Sequence, residues 1–378
     1  MHATVVGGGI GGLAAAAGLH RVGWTVTVLE KAPAFGDVGA GISLWPNALH
    51  SLDELGVDLG DRLAVQTDGG FRDRRGRRIT RFDGAEFARR HGRPLGAIHR
   101  RDLIAALRAA VPAESLRTGQ EVTEVREDGL VRVDSEELRA DLVVAADGIH
   151  SWARHALFPH HPEPVYSGST AYRGVAHLPG TGLSTSFDRG TEVGVLPLTG
   201  GDVYWWISSV TAPDTGRAGL RQAFENWHDP IPALLAATPP EAVLHHDLHH
   251  LDTPLPTYTR GRIALLGDAA HAMPPFLGQG GCQAIEDAVV LAHAVSTEDS
   301  VEAALESYDR QRRPRSQRVV RESVRMGRLG PQLTNPVATA LRTAVLKRLP
   351  AKATARVGAG ITGWTPPRLP RPVPPRKP

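Results

Sequence analysis

Residues 3–12 read ATVVGGGIGG, and this stretch decides the fold. The four residues before the glycines are typical of a short buried β-strand, and the apolar run at 13–22 is typical of a helix. A second strand-like segment follows at 25–29. Because a strand, a tight glycine turn, a helix and another strand occur in that order, the sequence predicts a βαβ unit.

Four residues of this unit have separate physical tasks. Gly7 allows the turn, Gly9 lets the backbone approach a pyrophosphate at the helix N-terminus, and Gly12 lets the helix touch the sheet. Glu30 ends the second strand, where a carboxylate accepts hydrogen bonds from a ribose. In this context the Gly-x-Gly-x-x-Gly motif predicts a dinucleotide-binding fold.

The composition is that of a globular protein from a reducing compartment. Of 378 residues, 41% are hydrophobic and 22% are charged, which is enough for a large core. Cys282 is the one cysteine, which excludes an intrachain disulfide and cysteine-based metal sites. The histidine-rich run at 245–250 predicts a strand with rings on alternate faces, so we expect no metal site. Without a long apolar run or charged leader, we expect a cytoplasmic protein.

Positive charge is concentrated near the C-terminus. The formal net charge is +3, but residues 312–378 contain 16 Lys and Arg residues and one acid. We expect this basic segment to lie against the acidic remainder of the chain, because no nucleic-acid-binding motif accompanies it. A helix is predicted at 336–349, and its apolar stripe should pack inside the molecule rather than on an anionic membrane surface. The stripe consists of Val337, Leu341, Val345 and Leu349.

Three further motifs resemble one family. Residues 145–151 (AADGIHS), 267–275 (GDAAHAMPP) and 278–281 (GQGG) occur in the order and spacing of the flavoprotein aromatic hydroxylases. These are single-component FAD monooxygenases of the p-hydroxybenzoate hydroxylase type. The segment at 39–47 (GAGISLWPN) is similar to the urate, salicylate and 3-hydroxybenzoate hydroxylase branch. With the N-terminal motif, the resemblance covers residues 1–330 and implies noncovalently bound FAD.

The resemblance implies an α/β fold in which a Rossmann-like FAD-binding domain is interleaved with a β-sheet substrate domain, followed by C-terminal helices. We expect the FAD-binding domain at 1–70, 84–163 and 256–330, and the substrate domain at 71–83 and 164–255. We expect a basic helical region at 331–365 and an extended, poorly ordered Pro-rich tail at 366–378.

The resemblance also gives roles to single residues. Asp268 is expected to hold the ribityl hydroxyls of FAD, and Arg100 its phosphate or ribityl region. Asp147 belongs to a motif for FAD and NAD(P)H, and Ser43 would lie near the cofactor. The full expected cofactor set is Gly7, Gly9, Gly11, Gly12, Glu30, Lys31, Ser43, Arg100, Asp147, Asp268, Pro275, Gly278, Gln279, Gly280, Gly281 and Cys282.

A second glycine cluster, at 278–281, precedes an apolar helical run at 283–295. Unpaired N–H groups and the positive end of the helix should therefore face the cofactor, and would favour an anionic reduced flavin by up to ~2 kcal/mol. Pro275 and the glycines leave space for a flat ring. Cys282 at the helix start could be a reactive thiol, but a packing role is favoured.

Residues 203–207 (VYWWI) predict a strand in the substrate domain. Side chains alternate along a strand, so Tyr204 and Trp206 share one face and Trp205 takes the other. In resembling hydroxylases a Tyr-Arg-Gly-like element, here 172–174, leads into a sheet over the flavin. A purely structural role for these aromatic residues is equally favoured. The candidate substrate-pocket residues are Arg173, Tyr204, Trp206 and Pro274.

The chemistry that the resemblance implies is monooxygenation. NADH or NADPH, visiting transiently, would reduce FAD, and O2 would form a flavin C4a-hydroperoxide that hydroxylates an electron-rich aromatic small molecule. A non-catalytic FAD-fold binding protein, an epoxidase and a flavin-dependent halogenase are alternatives. The halogenase is disfavoured because residues 205–208 lack its Trp-x-Trp-x-Ile-Pro element. The substrate, the nicotinamide, a catalytic base and the choice between monomer and homodimer stay open.

Overall fold

The computed structural model describes residues 1–36, 40–134, 136–210, 216, 219–348 and 359–370. In chain order, the strands are β1 (His2–Val6), β2 (Thr25–Glu30), β3 (Gly41–Leu44), β4 (Ala64–Val65), β5 (Asp68–Gly69), β6 (Phe71–Asp73), β7 (Phe82–Asp83), β8 (Gly96–His99), β9 (Leu116–Thr118), β10 (Val122–Val125), β11 (Leu130–Val133), β12 (Glu136–Arg139), β13 (Leu142–Ala145), β14 (Val165–His177), β15 (Ser184–Asp188), β16 (Thr191–Pro197), β17 (Asp202–Ser209), β18 (Leu244–His250), β19 (Thr259–Arg260) and β20 (Ile263–Leu265). The helices are α1 (Ile10–Arg21), α2 (Pro46–Leu55), α3 (Gly84–His91), α4 (Arg100–Ala109), α5 (Trp152–Leu157), α6 (Leu220–Ala223), α7 (Ile231–Ala237), α8 (Asp268–His271), α9 (Gly280–Thr297), α10 (Val301–Leu329), α11 (Pro336–Arg348) and α12 (Ala359–Thr362).

The first large sheet carries the N-terminal motif. Its strand order is β19-β20-β13-β1-β2-β9, and every pair is parallel except β19 with β20. The buried strands β1, β13 and β20 lead within three residues into Gly7, Asp147 and Asp268. Because parallel strands end at one edge of a sheet, the three sequence motifs meet there. The predicted α/β fold is confirmed.

The second large sheet is mainly antiparallel, with the order β18-β14-β17-β16-β15-β6. Its strands come from residues 71–83 and 164–255, although the predicted domain boundaries themselves stay a prediction. One face packs Trp205 and Ile207 against the short helices α6 and α7. The opposite face carries Tyr204, which packs with Ala97 of β8 and with Ala40, the residue before β3.

The small sheet β3-β8-β4 connects the two large sheets. A Cβ on Gly41 in β3 would collide with Tyr204 in β17, so a glycine is needed for β3 to approach this closely. The Gln66 side chain donates to the Pro197 carbonyl (3.0 Å), and His99 Nε2 lies 3.1 Å from a carboxylate oxygen of Asp202. β3 therefore lies directly against the Tyr204 face of the second sheet.

The apolar stripe of α11 faces solvent, so the prediction that it packs inside the molecule was wrong. Val337, Leu341 and Val345 are 76%, 65% and 51% exposed; Leu349 lies outside the described residues. The guanidinium of Arg342 sets the rotation of the helix, since it donates to the Gly330 carbonyl (2.7 Å) and lies over a ring of the second sheet. No helix in the described ranges is long and apolar enough to cross a membrane.

Part of the Pro-rich tail packs on the body of the protein, which corrects the prediction of a poorly ordered end for residues 366–370. Leu369 is buried, and its backbone N–H donates to the Glu54 carboxylate of α2 (3.1 Å). Residues 371–378, also predicted to be poorly ordered, lie outside the described residues.

We expect the α11 stripe to contribute little to stability. Replacing Val337, Leu341 and Val345 together with Gln should change the free energy of unfolding by less than about 1.5 kcal/mol, because exposed substitutions have small effects. Leu305→Ala, at a buried position of α10, should cost about 2–5 kcal/mol. Urea unfolding of the purified variants measures both. A large loss in the triple variant would show that something covers the stripe.

Candidate active site

The N-terminal glycines are fixed by their surroundings in three different ways. Gly7 has φ +104°, and a Cβ there would collide with the carbonyl of Ala146, next to the Asp147 motif. A Cβ on Gly12 would collide with the Gly7 carbonyl. A Cβ on Gly9 would meet no atom within 4 Å. Gly7 and Gly12 therefore serve the fold, whereas Gly9 keeps space open in front of α1.

The Glu30 carboxylate lies over the same turn. One of its oxygens accepts from the Gly8 N–H (2.7 Å) and the other from the Ala32 N–H (2.8 Å). These bonds fix the side chain at the end of β2, beside the exposed Lys31. The acceptor that the sequence places for a ribose is thus held in position by backbone groups.

Asp147 stabilises local structure through its carboxylate. Its oxygens accept from the Ser151 hydroxyl (2.6 Å) and the Ala153 N–H (3.1 Å), at the start of α5. Sequence reasoning missed Arg154, which is buried and donates to the carbonyls of Ile149 (2.7 Å) and Ala269 (3.1 Å). Arg154 thereby connects the loop after β13 to α8.

Asp268, which follows β20, lies within electrostatic range of Arg100 at the start of α4. Both side chains are accessible to solvent, but nearby protein atoms exclude much of the water that would otherwise surround their charged groups. Desolvation lowers the pKa of Arg100, and the nearby Asp268 opposes this. Desolvation raises the pKa of Asp268, and the charges of His271 and Arg100 oppose this. A charged pair in a partly dry cleft suits a ligand that carries both phosphate and hydroxyl groups.

The second glycine cluster lies beside β3. Gly278 has φ +62°, and a Cβ on it would lie 2.9 Å from the Ser43 hydroxyl and 3.1 Å from Trp45 Nε1. A Cβ on Gly281 would lie 2.8 Å from Ile42 Cδ1, whereas one on Gly280 would meet no atom within 4 Å. The cluster therefore brings β3 and the N-terminus of α9 together and leaves an open space at Gly280.

Cys282 is not a reactive thiol. Its side chain is fully buried, with Sγ 3.7 Å from the carbonyls of Ser43 and Gly278. Burial raises the pKa of the thiol to about 12, so it stays protonated at neutral pH.

The proposed substrate side chains share one face of the second sheet. Arg173 pairs with Trp206 in the strand register, and Val175 pairs with Tyr204. Burial raises the pKa of Tyr204, and the nearby charge of Arg173 opposes the shift. Trp205 lies on the opposite face, where its indole N–H donates to the Thr238 hydroxyl (2.9 Å).

The two prolines of the 267–275 motif differ in exposure. Pro274 is buried, and its carbonyl accepts from the Ser323 hydroxyl of α10 (2.6 Å). Pro275 is exposed and begins the short turn that leads to Gly278. Of the two, Pro275 is the one with a surface available to a ligand.

Sequence reasoning missed a buried charge cluster between α9 and α10. Arg312 is 1% exposed and donates to Asp287 (2.7 Å) and Glu286 (2.6 Å), which are fully buried. The second Asp287 oxygen accepts from the Gly267 N–H (2.9 Å) and lies 2.6 Å from His271 Nε2. Burial alone would raise the pKa of Asp287, but His271 and Arg312 bring it down to about 2. His271, assigned from the sequence to its motif rather than to catalysis, is thus a member of this cluster.

Amide side chains and a second arginine extend the charge cluster. Asn47 of α2 donates to Glu286 (2.6 Å) and to Gln279 (3.0 Å), the residue before α9. Arg315 donates to both oxygens of Glu286 (2.6 and 2.7 Å), and the Trp364 ring lies 5.0 Å from its guanidinium. The basic C-terminal segment therefore packs partly on acidic groups of the protein's own body.

The cleft fits a dinucleotide that carries a flat ring. Gly9 and Gly280 leave open space at the N-termini of α1 and α9. Trp45 Nε1, Gln279 Nε2 and Arg173 Nε are buried N–H groups for which the described residues provide no acceptor. A ligand with phosphate and carbonyl oxygens would satisfy such donors.

The histidine-rich strand β18 is not arranged as a metal site. His245 stacks on Tyr172 with ring centroids 4.5 Å apart. Within the described ranges, no group of three or more His, Cys, Asp or Glu side chains could hold a metal ion.

We expect the charge cluster to control stability. Arg312→Met should destabilise the protein by about 3–5 kcal/mol, because it removes the buried guanidinium that Glu286 and Asp287 share and leaves part of their charge uncompensated. The lowered pKa of Asp287 contributes stability above its ordinary value of 3.8, and this is lost as the pH falls towards 2. The variant should therefore unfold in acid at a higher pH than the wild type.

Arg310→Met, at an exposed position of the same helix, is the matched control. It should change stability by about 1 kcal/mol or less. Equal losses in the two variants, measured by urea unfolding at several pH values, would contradict a special role for the buried cluster.

Comparison with known proteins gives one consistent family. Residues 1–323 match the family described as an FAD binding domain. The aurachin C monooxygenase/isomerase of Stigmatella aurantiaca is 39% identical over 362 residues, which cover 91% of this chain and 93% of that protein. An FAD-dependent urate hydroxylase of Klebsiella pneumoniae is 34% identical over 335 residues, which cover 82% and 86%.

The fold comparison agrees. Klebsiella pneumoniae HpxO, solved in complex with FAD and uric acid, has a TM-score of 0.88 and 29% identity, covering 96% of each chain. The predicted resemblance, the α/β fold and the FAD cofactor are thereby confirmed. This chain belongs to the FAD binding domain family, among the FAD-dependent monooxygenases.

Proposed function

We propose that this monooxygenase hydroxylates a planar, electron-rich aromatic or heteroaromatic compound, bound between FAD and the face of Arg173, Tyr204 and Trp206. The observation that carries the proposal is the position of this face. Tyr204 packs on Gly41 of β3, and Arg100 lies within electrostatic range of both Arg173 and Tyr204. A guanidinium and two aromatic rings suit a flat substrate with an anionic oxygen.

The chain's own residues position and shield such a substrate. Bound FAD, reduced by NAD(P)H, supplies the redox and oxygen chemistry. Arg173 would hold a phenolate or carboxylate oxygen and so favour the electron-rich form of the ring. Tyr204 and Trp206, with ring centroids 5.6 Å apart, would form an aromatic wall that excludes water. This arrangement needs no dedicated catalytic base.

We also propose which residues hold the cofactor. The open space at Gly9 supports pyrophosphate binding at the start of α1, with Glu30 fixed beside it for a ribose. Asp268 and Arg100 would contact the ribityl and phosphate groups. The N-terminus of α9 at Gly280 would stabilise negative charge on the reduced ring. Contact of NAD(P)H near Asp147 stays a prediction.

The relatives support an aromatic substrate of this type. One relative is named a urate hydroxylase, and HpxO was solved with bound uric acid; urate is a planar heterocycle that carries oxygen atoms. We favour hydroxylation over epoxidation because urate hydroxylases and a salicylate hydroxylase are among the relatives. The names of these relatives give no support to the non-catalytic alternative. A reducing compartment such as the cytoplasm stays a prediction, which rests on the single cysteine of the sequence.

Anaerobic reduction of the holoenzyme by NADH or NADPH tests the proposal. A panel of phenolic, purine, pyridine, indolic and quinoline compounds should contain one class that accelerates flavin reduction and is then hydroxylated in air. Reduction that no aromatic compound accelerates would argue against an aromatic substrate.

We expect Gly9→Val and Asp268→Ala to yield folded protein with little flavin. A Cβ at Gly9 would meet no protein atom within 4 Å, so the valine side chain would clash with the cofactor instead. Asp268→Ala removes a charged hydrogen-bond acceptor, which should weaken FAD binding about tenfold. The ratio of flavin to protein absorbance measures this, and acid precipitation should release the flavin of the wild type. Gly12→Ala, which collides with the Gly7 carbonyl, should instead lose stability. Full FAD occupancy in both cofactor variants would contradict the assignment.

Adjacent tryptophans provide a matched pair for the substrate face. Trp206→Ala and Tyr204→Phe should weaken substrate binding about tenfold and divert NAD(P)H oxidation to hydrogen peroxide while FAD stays bound. Trp205→Ala should instead reduce the free energy of unfolding by about 3–5 kcal/mol, because Trp205 fills the core beside α7. Unchanged coupling in the first two variants would place the substrate elsewhere.

A further inference from the structure

A buried carboxyl group lies on the same face of the second sheet as the proposed aromatic pocket. Glu192 of β16 is 8% exposed, and its Oε1 accepts a hydrogen bond from the indole N–H of Trp206 (2.7 Å). The ring of Trp206 lies over Gly194, where any Cβ would collide with it. The hydrogen bond and the glycine together fix the orientation of the indole.

The surroundings of Glu192 are mostly uncharged. Its register partners are Phe187 on β15 and Ser208 on β17, and the Ser208 hydroxyl is buried without a partner among the described residues. The charged group that faces it is Arg342 of α11, which donates to the Gly330 carbonyl and lies over the Phe187 ring. Burial therefore dominates and raises the pKa of Glu192 to about 7, against the effects of Trp206 and Arg342.

We propose that Glu192 is a positioning and specificity-determining residue, which holds Trp206 against the aromatic substrate and whose charge decides how well an anionic substrate is accepted beside Arg173. This inference rests on the proposed function, because it assumes that the substrate stacks on Trp206. With a protonated Glu192, the charge of Arg173 favours an anion in the pocket. An ionised Glu192 offsets that charge, so an uncharged aromatic compound competes better.

Linkage gives the inference a thermodynamic signature. If an anion binds better when Glu192 is protonated, its binding must draw a proton onto Glu192 by the same coupling. The free protein carries a related signature. Glu192 ionises near its ordinary value of 4.5 when unfolded and near 7 when folded, so its contribution to stability decreases between these two pH values.

The closing experiment uses the FAD-loaded enzyme with benzoate and benzamide as probes. Both are planar, and their charges stay constant between about pH 6 and about pH 8.5, so a pH effect on binding belongs to the protein. Dissociation constants come from perturbation of the flavin absorbance. For the wild type, we expect the Kd of benzoate to rise about threefold or more over this range, and the Kd of benzamide to change little.

Glu192→Gln is the matched variant, because its side-chain oxygen still accepts from Trp206 but carries no charge. It should bind benzoate with nearly the same Kd at both pH values, and its thermal midpoint should exceed that of the wild type by more at pH 8 than at pH 5. Glu192→Ala should weaken both probes at both pH values, since the indole loses its acceptor.

The outcomes separate this inference from the proposed function. If both probes bind but Glu192→Gln keeps the pH dependence of the wild type, the role of Glu192 is wrong and the pocket stands. If Glu192→Ala binds both probes as the wild type does, Glu192 does not position Trp206. If neither probe perturbs the flavin and Trp206→Ala keeps normal coupling, the pocket lies elsewhere and both proposals fail.

Discussion

The buried contact of Arg312 with Glu286 and Asp287 holds together the elements from which the cofactor cleft is built. The guanidinium that α10 supplies binds both carboxylates that α9 places inside the protein. Asp287 then fixes the Gly267 N–H, and so the turn that carries Asp268. Through Asn47, the same cluster reaches α2 and the end of β3. The contact of Arg312 with Glu286 and Asp287 therefore supports both the turn before Asp268 and the start of α2.

Close approach of backbones is the second constraint. β3 lies between the second glycine cluster and the second large sheet. It contacts both where a side chain would collide, at Gly278 and at Gly41. Gly194 allows a similar close contact within the second large sheet, because the absence of a side chain leaves room for the Trp206 ring. These glycines therefore let β3 and Trp206 pack closely around the region where we propose that FAD and the substrate bind.

The sequence was sufficient where function depends on short motifs in a known order. Gly7, Asp147 and Asp268 each follow a buried parallel strand, so the edge where they meet could be predicted from strand order alone. The charge cluster could not, because Arg312, Glu286 and Asp287 belong to no motif and the helices α9 and α10 bring them together. The prediction that the apolar stripe of α11 is buried was wrong. The stripe alone does not reveal that Arg342, on another side of the helix, contacts the body of the protein. The hydrogen bond between Glu192 and Trp206 depends on strand register, which no local pattern specifies.

The packing of Trp364 on Arg312 and Arg315 has a consequence for how the protein is made. The strands of the first sheet are complete once residue 265 has been synthesised, but the ring that covers the two arginines comes about 100 residues later. A nascent chain on the ribosome therefore holds the nucleotide-binding strands with their charged interior still open to water. The packing that covers these two arginines is therefore among the last contacts that the growing chain can form.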